Sequence, residues 1–308
     1  MTHDDSHRVS VVVVVSREGG FGNRLRLAAE LRRLRERAGL SGRRLAEYVG
    51  ISQSKVSRIE ASTALPTRPE LTAWAEATDA PDETAAMLHV LADSVYTDVR
   101  PWSTVLLGHG DLQNDIQRLE QRARVKLVYE PSIVPGLLQV AGYARRLFEV
   151  FEHGYAPQDV AQAVASRVER QAALYDPAQR FEFVVTEAAL RLRLAPVHVL
   201  LAQLDRIGSV ASLGNVSLGL IPLSTPVTTY VPHGFVIFDE LTEPSDPATL
   251  IMVETVHANL TITDPADVAV YRRQWARLRK QATYGDAARD LLAEIATALR
   301  DLPTEPVS

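Results

Sequence analysis

Apolar residues recur at helical spacing through the first hundred positions, and helical stretches then alternate with short β-like runs. From Arg24 to Ala38, the residues Leu27, Leu31, Leu34 and Ala38 fall at i, i+4, i+7 and i+11. That is one face of a helix, which Gly39 stops. Leu45, Ala46 and Val49 make the next stripe, on a helix that opens after Ser41, a good N-cap residue, and ends at Gly50. Ile51 plugs the corner. Ser52 caps a third helix whose only inward contacts are Val56 and Ile59, so its apolar edge is thin. Pro69 to Thr78 and Asp82 to Val95 read as two further helices, which close a five-helix bundle over residues 22–98.

The periods break in VYTDVRPWSTVLLGHGD, so residues 99–110 are expected to be a linker. Beyond it, Leu112 to Arg122 looks helical and Val125 to Tyr129 β-like. PSIVPGLL is a turn-rich connection, followed by helices at Gln139 to Phe151 and Pro157 to Tyr175. Further strands are predicted at Arg180 to Thr186, Asn215 to Ile221, Gly234 to Asp239 and Thr249 to Thr255. Helices are predicted near Val197 to Val210, Asp264 to Ala282 and Asp286 to Leu299. The fold class is thus an all-α bundle followed by a mixed α/β domain over residues 111–300, with a tail at 301–308. Ahead of the bundle, residues 1–21 read as a poorly ordered leader, and GGFG as a flexible lead-in. An edge strand formed by VSVVVVV is the alternative for that leader.

Composition adds limits. A chain of 308 residues with 46% hydrophobic content suggests about two domains. It contains no Cys, which excludes disulfides and thiolate metal sites. No apolar run approaches the roughly 18 to 20 residues of a membrane span, and a cytoplasmic protein is expected. The net charge of −5 is unevenly spread. Residues 22–62 hold ten basic and four acidic side chains, whereas residues 63–308 hold 21 basic and 31 acidic. A basic module attracts phosphates, and its acidic partner domain keeps non-specific DNA binding modest.

The third helix carries the candidate chemistry. At about 100° per residue, with Val56 and Ile59 inward, Ser54, Ser57 and Arg58 point outward and Gln53 and Lys55 flank them. Gln and Arg can make bidentate hydrogen bonds to base edges, Ser permits close approach, and Lys and a helix N-terminus can hold phosphates. One polar helix would be an ordinary solvated face. The helix, turn, helix spacing fits as well, and double-stranded DNA is the expected partner.

Residues 22–78 resemble the XRE (Cro/phage-repressor-like) helix-turn-helix domain through LRxLRExAGLSxxxLAExxGxSQSxVSRIE. The resemblance implies a recognition helix at 53–60, with Gln53 and Ser54 at its base-touching start and Ser57 and Arg58 beside them. Phosphate contacts fall to Arg43, Arg44, Ser52 and Lys55. Two departures are Gly42, where the family usually has Gln, and Ala61-Ser62, where it has Arg/Asn-Gly. Further on, EQRARVKLVYEPSIVPGLLQVAGYARRLFEVF, LGNVSLGLIPLST, HGFVIFDEL and MVETVHANLTITDPADVAVYRRQWARLRKQA are similar to a C-terminal domain of unknown function. That domain follows an XRE domain in the Scr-type antitoxin-like regulators of actinobacteria. The resemblance implies a nucleoid-associated transcriptional regulator. Its alternative is an antitoxin-like protein that sequesters a small partner encoded nearby and autoregulates its operon.

One short recognition helix reads few base pairs, so a homodimer on half-sites is expected. Pairing is assigned to the acidic domain, where Val270, Trp275, Leu278, Leu291, Leu292 and Ile295 supply apolar surface. A ligand or partner surface is expected in YEPSIVPGLLQVAGYARRL: Val134, Leu137, Leu138 and Tyr143 as apolar wall, Pro135 and Gly136 as rigid corner, Glu130 and Arg145 as polar rim. Core packing is the competing explanation. The eight His residues show no metal-ligand spacing, and no GxSxG, Walker or dinucleotide motif occurs. No metal, no cofactor and no catalytic activity are expected.

Overall fold

A computed structural model describes residues 20–102, 111–151, 157–242 and 247–302. Most of the expected leader and linker, the end of the tail, His109 and His153 lie outside the described residues. Five helices make the N-terminal module: α1 (Gly20–Arg37), α2 (Gly42–Val49), α3 (Gln53–Glu60), α4 (Arg68–Ala77) and α5 (Asp82–Tyr96). Leu27, Leu31 and Leu34 meet Leu45, Val56, Ile59, Leu71 and Trp74 in one core. Trp74 Nε1 donates to Leu31 O at 3.2 Å, so the largest core residue leaves no buried polar atom unpaired. Two expectations fail at the ends of α1. Ala38 lies just past the last turn and is exposed. Gly20 and Phe21, expected in the lead-in, belong to the helix.

The α/β domain is built on a seven-stranded sheet in the order β1-β7-β6-β5-β2-β3-β4. Its strands are β1 (Thr97–Pro101), β2 (Ala123–Glu130), β3 (Arg180–Thr186), β4 (Val216–Ile221), β5 (Phe235–Leu241), β6 (Thr249–Glu254) and β7 (Ala258–Ile262). β2, β3 and β4 run parallel, and the other pairs are antiparallel. The described helices of this domain are α6 (Asp111–Arg122), α7 (Ala141–Val150), α8 (Pro157–Arg170), α9 (Glu187–Arg191), α10 (Val197–Val210), α11 (Pro265–Gln281) and α12 (Gly285–Arg300). Parallel neighbours need crossovers, and the helices between β2 and β4 supply them.

The period of two along β2 separates the two faces. Val125, Leu127 and Tyr129 pack with Trp275 and Leu278 of α11. Lys126, Val128 and Glu130 alternate with them and point to the opposite face. On that side Val128, Phe181 and Phe183 join Leu200, Leu204 and Ile295. Trp275, Leu278, Leu292 and Ile295, expected to offer dimer surface, are therefore core residues at 5, 1, 7 and 0% exposure. Leu291 is half-buried, and Val270 alone of the six stands exposed. A helix laid on either face of a sheet buries its apolar stripe there first.

Residues 97–101 are the main departure from the sequence expectation, because the stretch read as bundle end and linker start is an edge strand. α5 passes into β1 without a break, and Thr97 to Pro101 pair with Ile262 to Ala258. TDVRP carries no alternating apolar pattern, and only the long-range partner β7, itself missed in the sequence, makes it a strand. Pro101 is tolerated at a sheet edge. Thr263 N donates to Tyr96 O at 2.9 Å across the junction. Arg68 of α4 reaches Asp93 at 2.6 Å and Asp264, the N-cap of α11, at 3.4 Å. The helical module is thus tied to the sheet by a strand, a hydrogen bond and an ion-pair cluster.

Candidate nucleic-acid interface and interior cavity

The α2–α3 corner follows from its residue types. Ser41 Oγ accepts from Arg44 N, and Ser52 Oγ from Lys55 N, each at 3.2 Å, so both helices start on a side-chain cap. Gly50 closes α2 at φ +76°, a left-handed conformation that side chains disfavour, and donates to Ala46 O. Val56 and Ile59 are 1% exposed and seat α3 on the core. At its far end Arg35 of α1 holds Glu60 through two hydrogen bonds of 2.6 and 2.9 Å and also donates to Leu40 O. Both ends of α3 are fixed, and its outer row is free to touch something else.

Gln53, Ser54, Ser57 and Arg58 are exposed along that row. Ser54 shares a 3.0 Å hydrogen bond with Ser52. Arg58 folds back on its own helix, Nε donating to Ser54 O at 3.4 Å, and forms no ion pair with a described residue. Arg43 and Arg44 are exposed at the start of α2 and both lean on Glu47, at 3.6 and 3.2 Å. Arg44 also lies 5.0 Å over the Tyr48 ring. Lys55 is more tightly held: its Nζ sits 2.5 Å from Glu70, whose other oxygen accepts from Thr67 N in the capping box of α4. No local pattern signals this pair, because Glu70 lies in another helix.

In the α/β domain the predicted ligand wall divides. Val134, Leu138 and Tyr143 are 1% exposed and belong to the core. Arg145 is exposed and is not part of the wall that the neighbouring residues form. Glu130, Pro135, Gly136 and Leu137 do line one, of about 550 Å³, between the sheet, the 136–138 turn and α7 and α8. The PGLLQ segment is irregular and buried, so its backbone groups need partners. Tyr143 Oη accepts from Val134 N, Gln139 donates to Val134 O, and Gln203 donates to Leu138 O while accepting from Val140 N. Most of its polar residues are therefore structural glue.

The cavity also contains charged groups that sequence reasoning missed. Lys126 is fully buried, donating to Ala123 O at 2.7 Å and Gln179 Oε1 at 2.6 Å beside the Phe181 ring. Burial pushes its ammonium down to about 8, against the nearby charges of Glu120 and Asp176. Arg170 grips Glu120 through two hydrogen bonds, with both side chains under 10% exposed. Arg167 donates to Gln139 and lies over Phe148. Burial, helped by the charge of Glu254 and opposed by Arg167, pushes the Glu130 carboxyl up to about 8. Trp102, just past β1, forms part of the cavity wall and donates to Thr255 O at 2.8 Å. The alternating charge in ARVKLVYE hinted at Lys126, but nothing local places Glu120, Arg167 and Arg170 beside it.

A capped helix-turn-helix with a polar outer row, fused to a mixed sheet that borders a cavity, points to a DNA-binding module joined to a second domain of different architecture. Residues 26–88 match the family described as Helix-turn-helix domain. Residues 113–294, more than half of the chain, match the Domain of unknown function (DUF5753), and the chain belongs to that family. No curated protein matches it. This two-part arrangement agrees with the resemblance to a helix-turn-helix regulator carrying a C-terminal domain of unknown function. Among the described residues no helix is long and apolar enough to cross a membrane.

Proposed function

We propose that the protein is a nucleoid-associated, sequence-specific transcriptional regulator, without catalytic activity, whose α3 enters the major groove of double-stranded DNA. Gln53, Ser54, Ser57 and Arg58 read base edges; Arg43, Arg44, Ser52 and Lys55 hold phosphates. The observation that carries this reading is the division of α3 into an inward pair at 1% exposure and an exposed outer row that ends in an arginine forming no ion pair with a described residue. Two copies bind together, because one short helix reads too few base pairs for selectivity in a genome. Selection of bound fragments from random DNA tests this. A palindromic site with half-sites about one helical turn apart is expected, and recovery of unenriched sequence would overturn it.

The α/β domain acts as the sensor, with the cavity as its ligand site. Trp102 contributes to the cavity wall at one end of β1, and α5 of the DNA module ends at the other end of that five-residue strand. A ligand that moves Trp102 thus pulls on the edge strand that positions the helical module.

The alternative reading, an antitoxin-like protein that sequesters a small partner, is favoured by one observation. Leu223, Val227 and Tyr230 stand 65, 75 and 77% exposed on a single connecting segment between β4 and β5. Co-expression with the small reading frame adjoining its gene tests it. A stable complex that triple substitution to Ser abolishes would favour this reading over ligand sensing.

A further inference from the structure

The sensor reading leaves the ligand open, and the charge pattern of the cavity narrows it. The walls are mainly aromatic and aliphatic, with Phe148, Phe151, Phe183, Phe238 and Met252 among them. A molecule of drug-like size can occupy about 550 Å³, and such a lining favours an apolar body. The polar groups are then what select among apolar molecules.

The cations around the chamber are already engaged. Lys126 is bound by Ala123 O and Gln179, Arg170 by Glu120, and Arg167 by Gln139 and the Phe148 ring. The carboxylates are not all engaged. Glu130 stands at the end of β2, pressed against Gly234 so closely that a Cβ there would overlap its carboxyl group. No described residue hydrogen-bonds to it or forms an ion pair with it. Glu254, exposed on β6, adds a second negative charge on the same wall. The groups facing Glu130 are thus Glu254 from β6, Arg167 from α8 and His233 from the loop before β5. A half-buried carboxyl that borders an apolar cavity without a hydrogen-bond or ion-pair partner among the described residues is open to a cation delivered by a ligand.

We propose that the cavity binds an apolar molecule bearing a protonated amine, whose body lies among the aromatic side chains and whose ammonium pairs with Glu130. This rests on the reading of the cavity as a ligand site, and the two can fail separately. Glu130 holds its proton at neutral pH, so amine binding releases a proton, which calorimetry in buffers of different ionisation enthalpy detects.

The test uses the full chain and three fluorescent probes with one apolar body: dansylcadaverine, its neutral N-acetyl derivative, and dansyl-aminohexanoate. Binding is read as dansyl emission excited through tryptophan, since Trp102 lies in the wall. Dansylcadaverine should bind at least about tenfold tighter than the neutral probe, and the anion most weakly. E130Q should bring the cation down to the affinity of the neutral probe and leave the neutral probe unchanged, which also shows that the variant is folded. If the cation binds no tighter than the neutral probe, or E130Q retains the preference, the amine assignment is overturned while the ligand site stands. If none of the three binds, the ligand site falls as well.

Discussion

The two halves of this molecule carry their polar side chains in opposite ways. In the helical module the candidate site faces outward: α3 keeps two apolar residues in the core and spends the rest of its surface on exposed Gln53, Ser54, Ser57 and Arg58. In the α/β domain the candidate site faces inward. Lys126, Glu120 and Arg170 are buried, and Glu130 borders a chamber of about 550 Å³. An outward polar row costs the fold almost nothing, so its residues are answerable to a partner. A buried charge must be compensated within the fold, so its residues answer to stability first and to a ligand second.

The largest expected effect tests the inward half. Glu120→Ala removes the carboxylate from a buried ion pair and should cost about 3 to 5 kcal/mol, read as the shift of the urea midpoint at unchanged slope. A cost below about 1 kcal/mol would show that the pair is solvated and erase the contrast with α3.

Next come the two shifted groups beside the cavity, whose effects on stability oppose each other in separate pH windows. Glu130 ionises at about 8 in the fold and at 4.5 when free, so its stabilising contribution is complete below about pH 4.5 and is lost as pH rises through about 8. Lys126 is depressed from 10.5 to about 8, so its contribution returns as pH rises from about 8 to about 10.5. In a pH series of thermal melts, Glu130→Gln should flatten the fall between pH 5 and 8. Wild type and variant melting in parallel over that window would count against the burial of the carboxyl.

Arg58→Ala should cost about 1 to 3 kcal/mol on the specific site, relax preference at one base pair and leave random DNA little affected. It should not move the melting temperature beyond the small range of surface changes. Equal weakening on both DNAs would remove Arg58 from the base-reading set.

A smaller effect separates contact from tether at Lys55. Because Lys55 sits 2.5 Å from Glu70, a phosphate must compete with that carboxylate. Lys55→Ala should weaken specific and random DNA alike and lower the salt slope by about one unit, whereas Glu70→Gln should strengthen both. An unchanged salt slope in Lys55→Ala would mean that the lysine serves α4 and not DNA. The smallest change concerns Gly42, where a Cβ would lie 3.8 Å from Val56 and 4.0 Å from Gln53. Gly42→Ala should stabilise the module by about 0.5 kcal/mol, measured in denaturant, with operator affinity preserved.

The helical module was legible almost residue by residue. Both serine caps, the Gly50 stop and the inward pair Val56 and Ile59 stand where the spacing put them, since helical contacts and caps join residues three or four apart. The error there was at an end, at Ala38, and what the spacing did not reveal was contact between helices, as with Lys55 and Glu70. Most strands of the second domain were also legible from their β-branched and aromatic runs, but β1 and β7 were not, since β1 becomes a strand only beside β7, and β7 only between β1 and β6.

The sequence by itself determined the helix-turn-helix, its polar outer face, the uneven distribution of charge and the presence of a mixed α/β domain. These follow from short-range periodicity and residue type. Only the tertiary structure decided which half of the VPGLLQ stretch is core and which is cavity wall. It also buried Trp275, Leu278, Leu292 and Ile295, which had looked available for pairing, and brought Glu120, Lys126, Glu130, Arg167 and Arg170 around one chamber. The reason is physical: β2 sends alternate residues to opposite faces, and the parallel crossover from β2 to β3 carries α7 and α8 back over one of them. Side chains 50 residues apart, as in Arg170 and Glu120, thus meet only when the sheet exists to hold both.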